Sequence, residues 1–383
     1  MRQGSISALF LMISALTTFS HSLWYTLFPV YLRESGLEVW QAGLATSLTM
    51  TLSFVLAFPA GLAADSISTR ASFLLASLGQ LFTLLIMPII GSPALLMLLL
   101  SIYTLSMTLR GQGALRFLSI NSSPNLWGTT YSIYLLLIGV SSALGSYLAG
   151  YMAQQFSLKE TFTVSAILFA LSTPLALQFK GVQRNSSGRI PLLKPKFPKG
   201  PDFLNLTISL ALHDFAVFSA MSYTQIFQRE VVTLSPQQIG TLSALGTTIS
   251  QAVQLIAGYF TDKLGAGKAL ILHYLGVSAG YALMGVSDSF EEMIAAVALQ
   301  SLFLPFDMPG RRKMLSLMAP PDSVATVNGL SDAVVGLAAL PSPLVGGYLW
   351  YSVGPRNMLL ACALFNLTAF APLALLKEGN TRN

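Results

Sequence analysis

The chain has 383 residues, of which 53% are hydrophobic and only 9% charged, with a net charge of +6. A soluble domain carries roughly 25% charged residues, so this balance excludes a water-soluble globular fold and makes lipid the solvent. Cys362 is the only cysteine, which excludes an internal disulfide and a cysteine-based metal site.

A membrane-spanning helix needs about 20 mostly apolar residues, and charges or turn residues punctuate the chain at about that interval. The pattern predicts twelve spans. The first six cover 6–32, 40–63, 71–91, 93–118, 127–152 and 158–179. Span 6–32 is too long for a signal-peptide core and lacks a small-residue cleavage site, so it reads as a retained helix. A basic stretch rich in Pro, Gly and Ser, "KGVQRNSSGRIPLLKPKFPKGPD", follows at 180–202 and reads as a linker. The second six spans cover 202–228, 236–260, 267–287, 289–314, 322–350 and 355–377. The expected fold class is therefore an all-α membrane protein with two six-helix bundles, 1–179 and 202–383, joined by a cytoplasmic linker at 180–201.

With the N-terminus in the cytoplasm, 17 of the 21 basic residues fall on inner loops and helix ends. Arg33, Lys159, Arg229 and Arg356 fall outside. That bias follows the resistance of Lys and Arg to translocation. The positive charge thus follows topology and gives no reason to expect nucleic acid or an obligate protein partner. Both termini are expected in the cytoplasm, and the short loops suit a prokaryotic inner membrane.

The halves repeat. At one ungapped offset of 197 residues, Gly43 meets Gly240, Gly61 meets Gly258, Asp65 meets Asp262, Gly79 meets Gly276, Pro124 meets Pro321, Gly139 meets Gly336 and Gly150 meets Gly347. Parallel six-helix repeats suit alternating access, in which two bundles rock about a site near the membrane midplane. The stretches "AGLAADSISTR" (60–70) and "AGYFTDKLGAGK" (257–268) are the repeated polar marks.

These two marks resemble the Gly-x-x-x-Asp-basic-x-Gly-basic-basic motif of the major facilitator superfamily, and the resemblance extends over essentially the whole chain. The first copy matches at Gly61, Asp65 and Arg70 and departs at Ser66, Ser68 and Thr69. The second matches at Gly258, Asp262, Lys263 and Gly265, with Lys268 one place late. The resemblance implies a gate that holds the outward-open state, with Gly61 and Gly258 permitting close helix approach and the two aspartates pairing with nearby basic groups. Ordinary loop charge is the alternative. "GAGK" (265–268) is not a phosphate loop, because Asp262 stands where its first Gly belongs and Ala269 replaces the required Ser or Thr.

Ionisable groups at membrane depth cost several kcal/mol unless paired or hydrated, and are functional candidates. The spans place His21, Arg110, His213, Asp214, Asp307 and Asp332 there. By resemblance, the first, fourth, seventh and tenth helices line the cavity. His21 and Asp214 are either a proton-exchanging pair or a structural hydrogen bond between the first and seventh helices. Arg110 and Asp307 are repeat counterparts, expected either to close the inner mouth as a charge pair or, for Arg110, to contact substrate. Asn328 lies one turn before Asp332 on the same face, turned to the cavity or buried as a polar island. Trp24, Tyr25, Tyr131, Tyr134, Gln251 and Gln254 are further pocket candidates or plain packing residues.

The antiporters of the family carry Gly-Pro-x-x-Gly-Gly in the fifth helix. Here that place holds "GSYLAG" (145–150), and its repeat copy "SPLVGG" (342–347) keeps the Pro and the two final glycines. With Arg110 taken up by Asp307, few free cations remain, which leads to the expectation of a neutral, cationic or amphipathic small-molecule substrate. No cofactor, metal or enzymatic constellation is expected. The first reading is a proton-coupled exporter. The others are a facilitator or proton symporter importing a nutrient, and a receptor or scaffold that does not transport.

Overall fold

The computed structural model describes residues 7–90, 92–122, 127–181, 200–319 and 324–376. Linker residues 182–199, together with Arg2, Pro124, Pro321, Lys377 and Arg382, lie outside them, as does the side chain of Asp65. Every regular element among the described residues is helical.

In the first half these are α1 (Ala8–Tyr25), α2 (Phe28–Glu34), α3 (Val39–Ser66), α4 (Thr69–Ile86), α5 (Pro93–Asn121), α6 (Trp127–Gln155) and α7 (Leu158–Gln178). The second half starts with α8 (Pro201–Met221), α9 (Thr224–Glu230), α10 (Pro236–Leu264), α11 (Ala266–Val286) and α12 (Phe290–Phe303). It continues with α13 (Asp307–Met318), α14 (Val324–Ala339), α15 (Ser342–Ser352), α16 (Pro355–Leu367) and α17 (Phe370–Ala374).

Several short helices are halves of one span, broken by a local feature. Pro29 opens α2 just after α1, and Pro305 sits in a single 3-10 turn between α12 and α13. Such breaks survive in lipid where neighbouring side chains satisfy the freed backbone groups. Counting broken helices as one, eleven stretches among the described residues are long and apolar enough to cross a membrane. The twelfth expected span is α10, which has 29 residues but a more polar sequence. Large apolar side chains such as Leu75, Phe82 and Leu85 on α4 face outward. That would be costly in water and is favourable in hydrocarbon.

The repeat read from the sequence recurs in the helix boundaries. Helices begin at Val39, Thr69, Pro93, Trp127 and Leu158, and 197 residues later at Pro236, Ala266, Phe290, Val324 and Pro355. The local reason is visible at one pair of starts. Gln41 Oε1 accepts from the Glu38 amide at 2.9 Å, and Gln238 Oε1 accepts from the Ser235 amide at 2.9 Å. In the second copy Ser235 Oγ also accepts from the Gln238 amide, which completes a capping box.

The chain forms two compact units. Unit 1 takes Met1–Leu37, Leu48–Arg189 and Ser235–Ala244; unit 2 takes Glu38–Ser47, Ile190–Leu234 and Leu245–Asn383. The two exchanged segments are themselves repeat equivalents. In unit 1 a Cβ on Gly150 would lie 2.6 Å from the Pro236 carbonyl, and in unit 2 a Cβ on Gly347 would lie 2.7 Å from Trp40 Cβ. Only glycine admits such approach.

Each unit has its own core. In unit 1, Phe10, Ile13, Phe73, Phe117, Leu118, Ala176 and Phe179 pack together. In unit 2, Leu206, Leu210, Leu270, Tyr274, Leu315 and Leu373 do so. Ile13, Phe73, Leu118 and Ala176 are the repeat equivalents of Leu210, Leu270, Leu315 and Leu373.

Candidate functional site

The site in unit 2 starts from the break at Pro305. Because the Asp307 amide bonds back to Leu304 in the 3-10 turn, the Phe303 carbonyl is released from the helix ladder. His273 Nδ1 on α11 lies 3.0 Å from that oxygen and fills the vacancy. The break also restarts the helix at Asp307, with Arg311 one turn on.

Arg311 is 3% exposed and Asp214, on α8, is 5% exposed. Arg311 Nη2 donates to Asp214 Oδ1 at 2.7 Å and Nη1 to Oδ2 at 3.0 Å, a bidentate fork. Arg311 Nε reaches Asp307 Oδ1 at 3.3 Å, so one guanidinium holds two carboxylates. His213 adjoins the cluster, with its Nε2 4.0 Å from Asp214 Oδ1 and 2.9 Å from His273 Nε2. Its Nδ1 is 2.7 Å from Asn366 Oδ1, and the Tyr274 ring stacks on it at 4.6 Å. His213, His273 and Asp307 bring three potential ligand atoms within 4.8 Å of one another.

The next two residues of α13 serve other partners. Arg312 donates to Asp332 Oδ2 at 2.8 Å and to Asn328 Oδ1 at 3.2 Å, both on α14. The polar face expected around Asp332 thus exists and is tied to an arginine; Asp332 Oδ1 is buried without a partner. Lys313 Nζ donates to Asp262 Oδ1 at 2.8 Å and to the Thr261 carbonyl at 3.3 Å. Its repeat counterpart, Arg116, donates to the Ala64 and Ile67 carbonyls at 2.5 and 2.6 Å. In both copies of the motif, a cation from the next-but-one span caps the C-terminal end of α3 or α10, where the helix dipole is negative.

Unit 1 holds the remaining candidates. His21 Nδ1 lies 2.8 Å from the Tyr103 hydroxyl, which also accepts from Trp24 Nε1 at 3.2 Å. Tyr25 stacks on His21 at 4.8 Å and shares a 2.5 Å hydrogen bond with Thr49. Arg110 donates to Gln80 Oε1 at 3.0 Å, and no carboxylate pairs with it among the described residues. Tyr131 and Tyr134 lie against the Phe10 cluster.

His21 and Arg110 in unit 1, and Asp214 and Asp307 in unit 2, each have a partner within their own unit. Among the described residues, a Cβ on Gly61 would meet only Gln112 Oε1 at 3.9 Å, and one on Gly258 nothing within 4 Å. Gly265 earns its place through its backbone instead, with φ +95° at the start of α11. Lys263 lies over the Tyr259 ring at 4.7 Å, and Arg70 is exposed at the start of α4. Gln251 and Gln254 are half-buried on α10.

The sequence reading missed Arg311, Arg312, His273 and Gln80. "RRK" at 311–313 resembles a cytoplasmic charge run, and only the i to i+4 spacing of Asp307 and Arg311 signalled a pair. His273 sits inside a predicted span and was legible as an ionisable group at depth.

The profile described as Major Facilitator Superfamily matches residues 9–232 and 204–382, so each half is matched. An MFS-type transporter of Methanocaldococcus jannaschii, itself uncharacterised, is 24% identical over 242 residues. That match spans 60% of this chain and 59% of the relative, so the chain covers less than two thirds of its length. Among solved structures, the nucleoside transporter NupG superposes with a TM-score of 0.80 at 13% identity, covering 96% of this chain and 100% of that one. A bacterial homologue of the human lysosomal transporter Spinster, inward-facing and occupied, gives 0.75 at 15% identity, covering 98% and 97%. At such identities the superpositions establish the fold alone, while the profile covers nearly the whole sequence: the chain belongs to the Major Facilitator Superfamily of membrane transporters.

Proposed function

We propose that the chain is a proton-coupled secondary transporter that exports a small amphipathic molecule by alternating access of the bundles 1–179 and 202–383. Its setting is a prokaryotic cytoplasmic membrane, with both termini inside. The observation that carries this reading is the Asp214–Arg311–Asp307 cluster, with Asp214 and Arg311 buried and Asp307 half-buried. Burying charges costs several kcal/mol each before pairing, and replacing such a cluster by apolar side chains would often stabilise a bundle. A cluster kept at that cost is suited to changing its charge. Protonating Asp214 would cancel the fork that joins α8 to α13 and free the two helices to repack.

The substrate reading is revised by Arg110. A neutral or cationic molecule was expected because Asp307 would neutralise that arginine, but Asp307 belongs to Arg311. Arg110 rests on the neutral Gln80 amide, and an anionic group such as a carboxylate is the natural partner for an oriented guanidinium. The antiporter signature is degraded at its fifth-helix place, "GSYLAG", and survives only in part in the repeat copy "SPLVGG", so export rests on the coupling reading and not on that motif. The test is flux of an amphipathic carboxylate library in proteoliposomes. A pH gradient is expected to drive accumulation of at least one member. Equal flux with and without the gradient contradicts the coupling.

A further inference from the structure

We infer that His213 and His273 hold one proton between their Nε2 atoms, and that this is the proton exchanged in transport; the second clause rests on the proposed function. The tautomers follow from what each ring faces. Asn366 Nδ2 donates to the Tyr274 carbonyl at 3.1 Å and to Ser278 Oγ at 2.9 Å. A carbonyl can only accept, so the amide orientation is set and Asn366 Oδ1 is the atom that faces His213 Nδ1. His213 Nδ1 therefore carries a hydrogen. His273 Nδ1 faces the Phe303 carbonyl, again a pure acceptor, and carries one too.

With both Nδ1 atoms protonated, two neutral rings would point bare lone pairs at each other across 2.9 Å. That separation is a normal hydrogen-bond length, and it needs one further proton. Charge leads to the same count. Facing the pair are Asp214 from its own helix, Asp307 and Arg311 from α13, and the neutral Tyr274 and Asn366 from α11 and α16. The two carboxylates and one guanidinium sum to one negative charge. A single shared proton makes the cluster neutral, which the burial of His213, His273, Asp214 and Arg311 favours.

A metal ion fits the same atoms less well. Two imidazoles on a tetrahedral zinc, each at about 2.0–2.1 Å, keep their nitrogens roughly 3.3 Å apart. The third potential ligand, Asp307, is already held by Arg311 at 3.3 Å.

The proton has a short onward path, because Asp214 Oδ1 lies 4.0 Å from His213 Nε2. In that step the Nε2–H bond breaks and an O–H bond forms on Asp214. The imidazole pair becomes neutral, and Arg311 loses one of its two counter-charges. Two lone pairs then oppose each other and the rings must part, which would loosen α8 from α11 as the fork loosens α8 from α13.

The chain has three histidines, so nitrogen-15 labelling of histidine gives a readable spectrum of the full-length protein in lipid nanodiscs. At neutral pH we expect Nδ1–H on His213 and His273 and a scalar coupling between their Nε2 atoms through the shared proton. His273→Gln, which offers an amide N–H without a charge, is expected to remove the coupling and keep Nδ1–H on His213. Asp214→Asn removes the balancing charge and is expected to abolish the coupling at neutral pH. A bare Nδ1 on either ring, or no coupling in the native protein, overturns the inference. So does stoichiometric zinc uptake at these nitrogens. The spectrum involves no transport, so failure of the proton store is separable from failure of the flux test. A coupling seen in a protein whose flux ignores the gradient would overturn only the second clause.

Discussion

The two halves start their helices at the same offset yet fill equivalent interior positions in opposite ways. Leu16, Thr17, Ala76, Ala114 and Phe169 stand in the first half where His213, Asp214, His273, Arg311 and Asn366 stand in the second. Arg110 is the repeat equivalent of Asp307. The first half therefore closes over an aromatic core with one cation resting on an amide, while the second seals an ionic network. Backbone repetition needs only apolar length and turn residues at the right intervals. A few substitutions along equivalent helices then give the two halves different chemistry, which the proposed function reads as substrate contact in one half and coupling in the other.

The sharpest way to break this contrast is Arg311→Leu. It removes the guanidinium that holds the buried Asp214 and the half-buried Asp307, and loss of one partner in a buried network costs roughly 3–5 kcal/mol. We expect a large fall in thermal stability in detergent. Asp214→Asn and Asp307→Asn combined with Arg311→Gln should recover most of it, since neutral amide groups can still bond. Full loss in the triple variant would mean that packing, rather than charge, makes the site sensitive.

Glycines sharpen the contrast between motif and packing. Gly150→Val is expected to cost about 1–3 kcal/mol through overpacking, because its Cβ would meet the Pro236 carbonyl at 2.6 Å. Gly61→Ala and Gly258→Ala have space around them and should change stability by no more than about 0.5 kcal/mol. Comparable losses at all three positions, read by thermal unfolding, would overturn the placement of the close contacts.

Arg110→Gln is expected to shift stability by about 1 kcal/mol or less, since it removes one hydrogen bond to an amide, while flux of a carboxylate substrate falls. A loss comparable to that of Arg311→Leu would mean that Arg110 has an acidic partner after all. The smallest effect is expected for Lys313→Ala. Asp262 is 77% exposed on its side chain, and surface pairs contribute about 0–1 kcal/mol. Unfolding by heat checks this too.

Spans, repeat and family were legible in the sequence because each rests on length, spacing and rare residues. Partners were not, and "RRK" shows why. Successive residues on a helix point about 100° apart, so Arg311, Arg312 and Lys313 reach Asp214, Asp332 and Asp262 on three different helices. In a chain apolar on all sides, nothing in the pattern sets helix rotation, and a charge run at a helix end reads as topology. Gly61 and Gly258 show a related limit of pattern: a motif glycine marks a position without saying what lies beside it. The deep acids were found because charge in lipid is rare, and the same rule applied to His273 would have found the other half of the pair.

The central claim is that coupling resides in the second half and substrate charge recognition in the first. Gradient-driven flux of one transported carboxylate, measured in proteoliposomes for the native chain, Asp214→Asn and Arg110→Gln, tests it directly. We expect Asp214→Asn to retain substrate exchange and lose its response to the pH gradient, and Arg110→Gln to lose flux of the carboxylate under either condition. An Asp214→Asn variant that still follows the gradient as the native chain does would contradict the account.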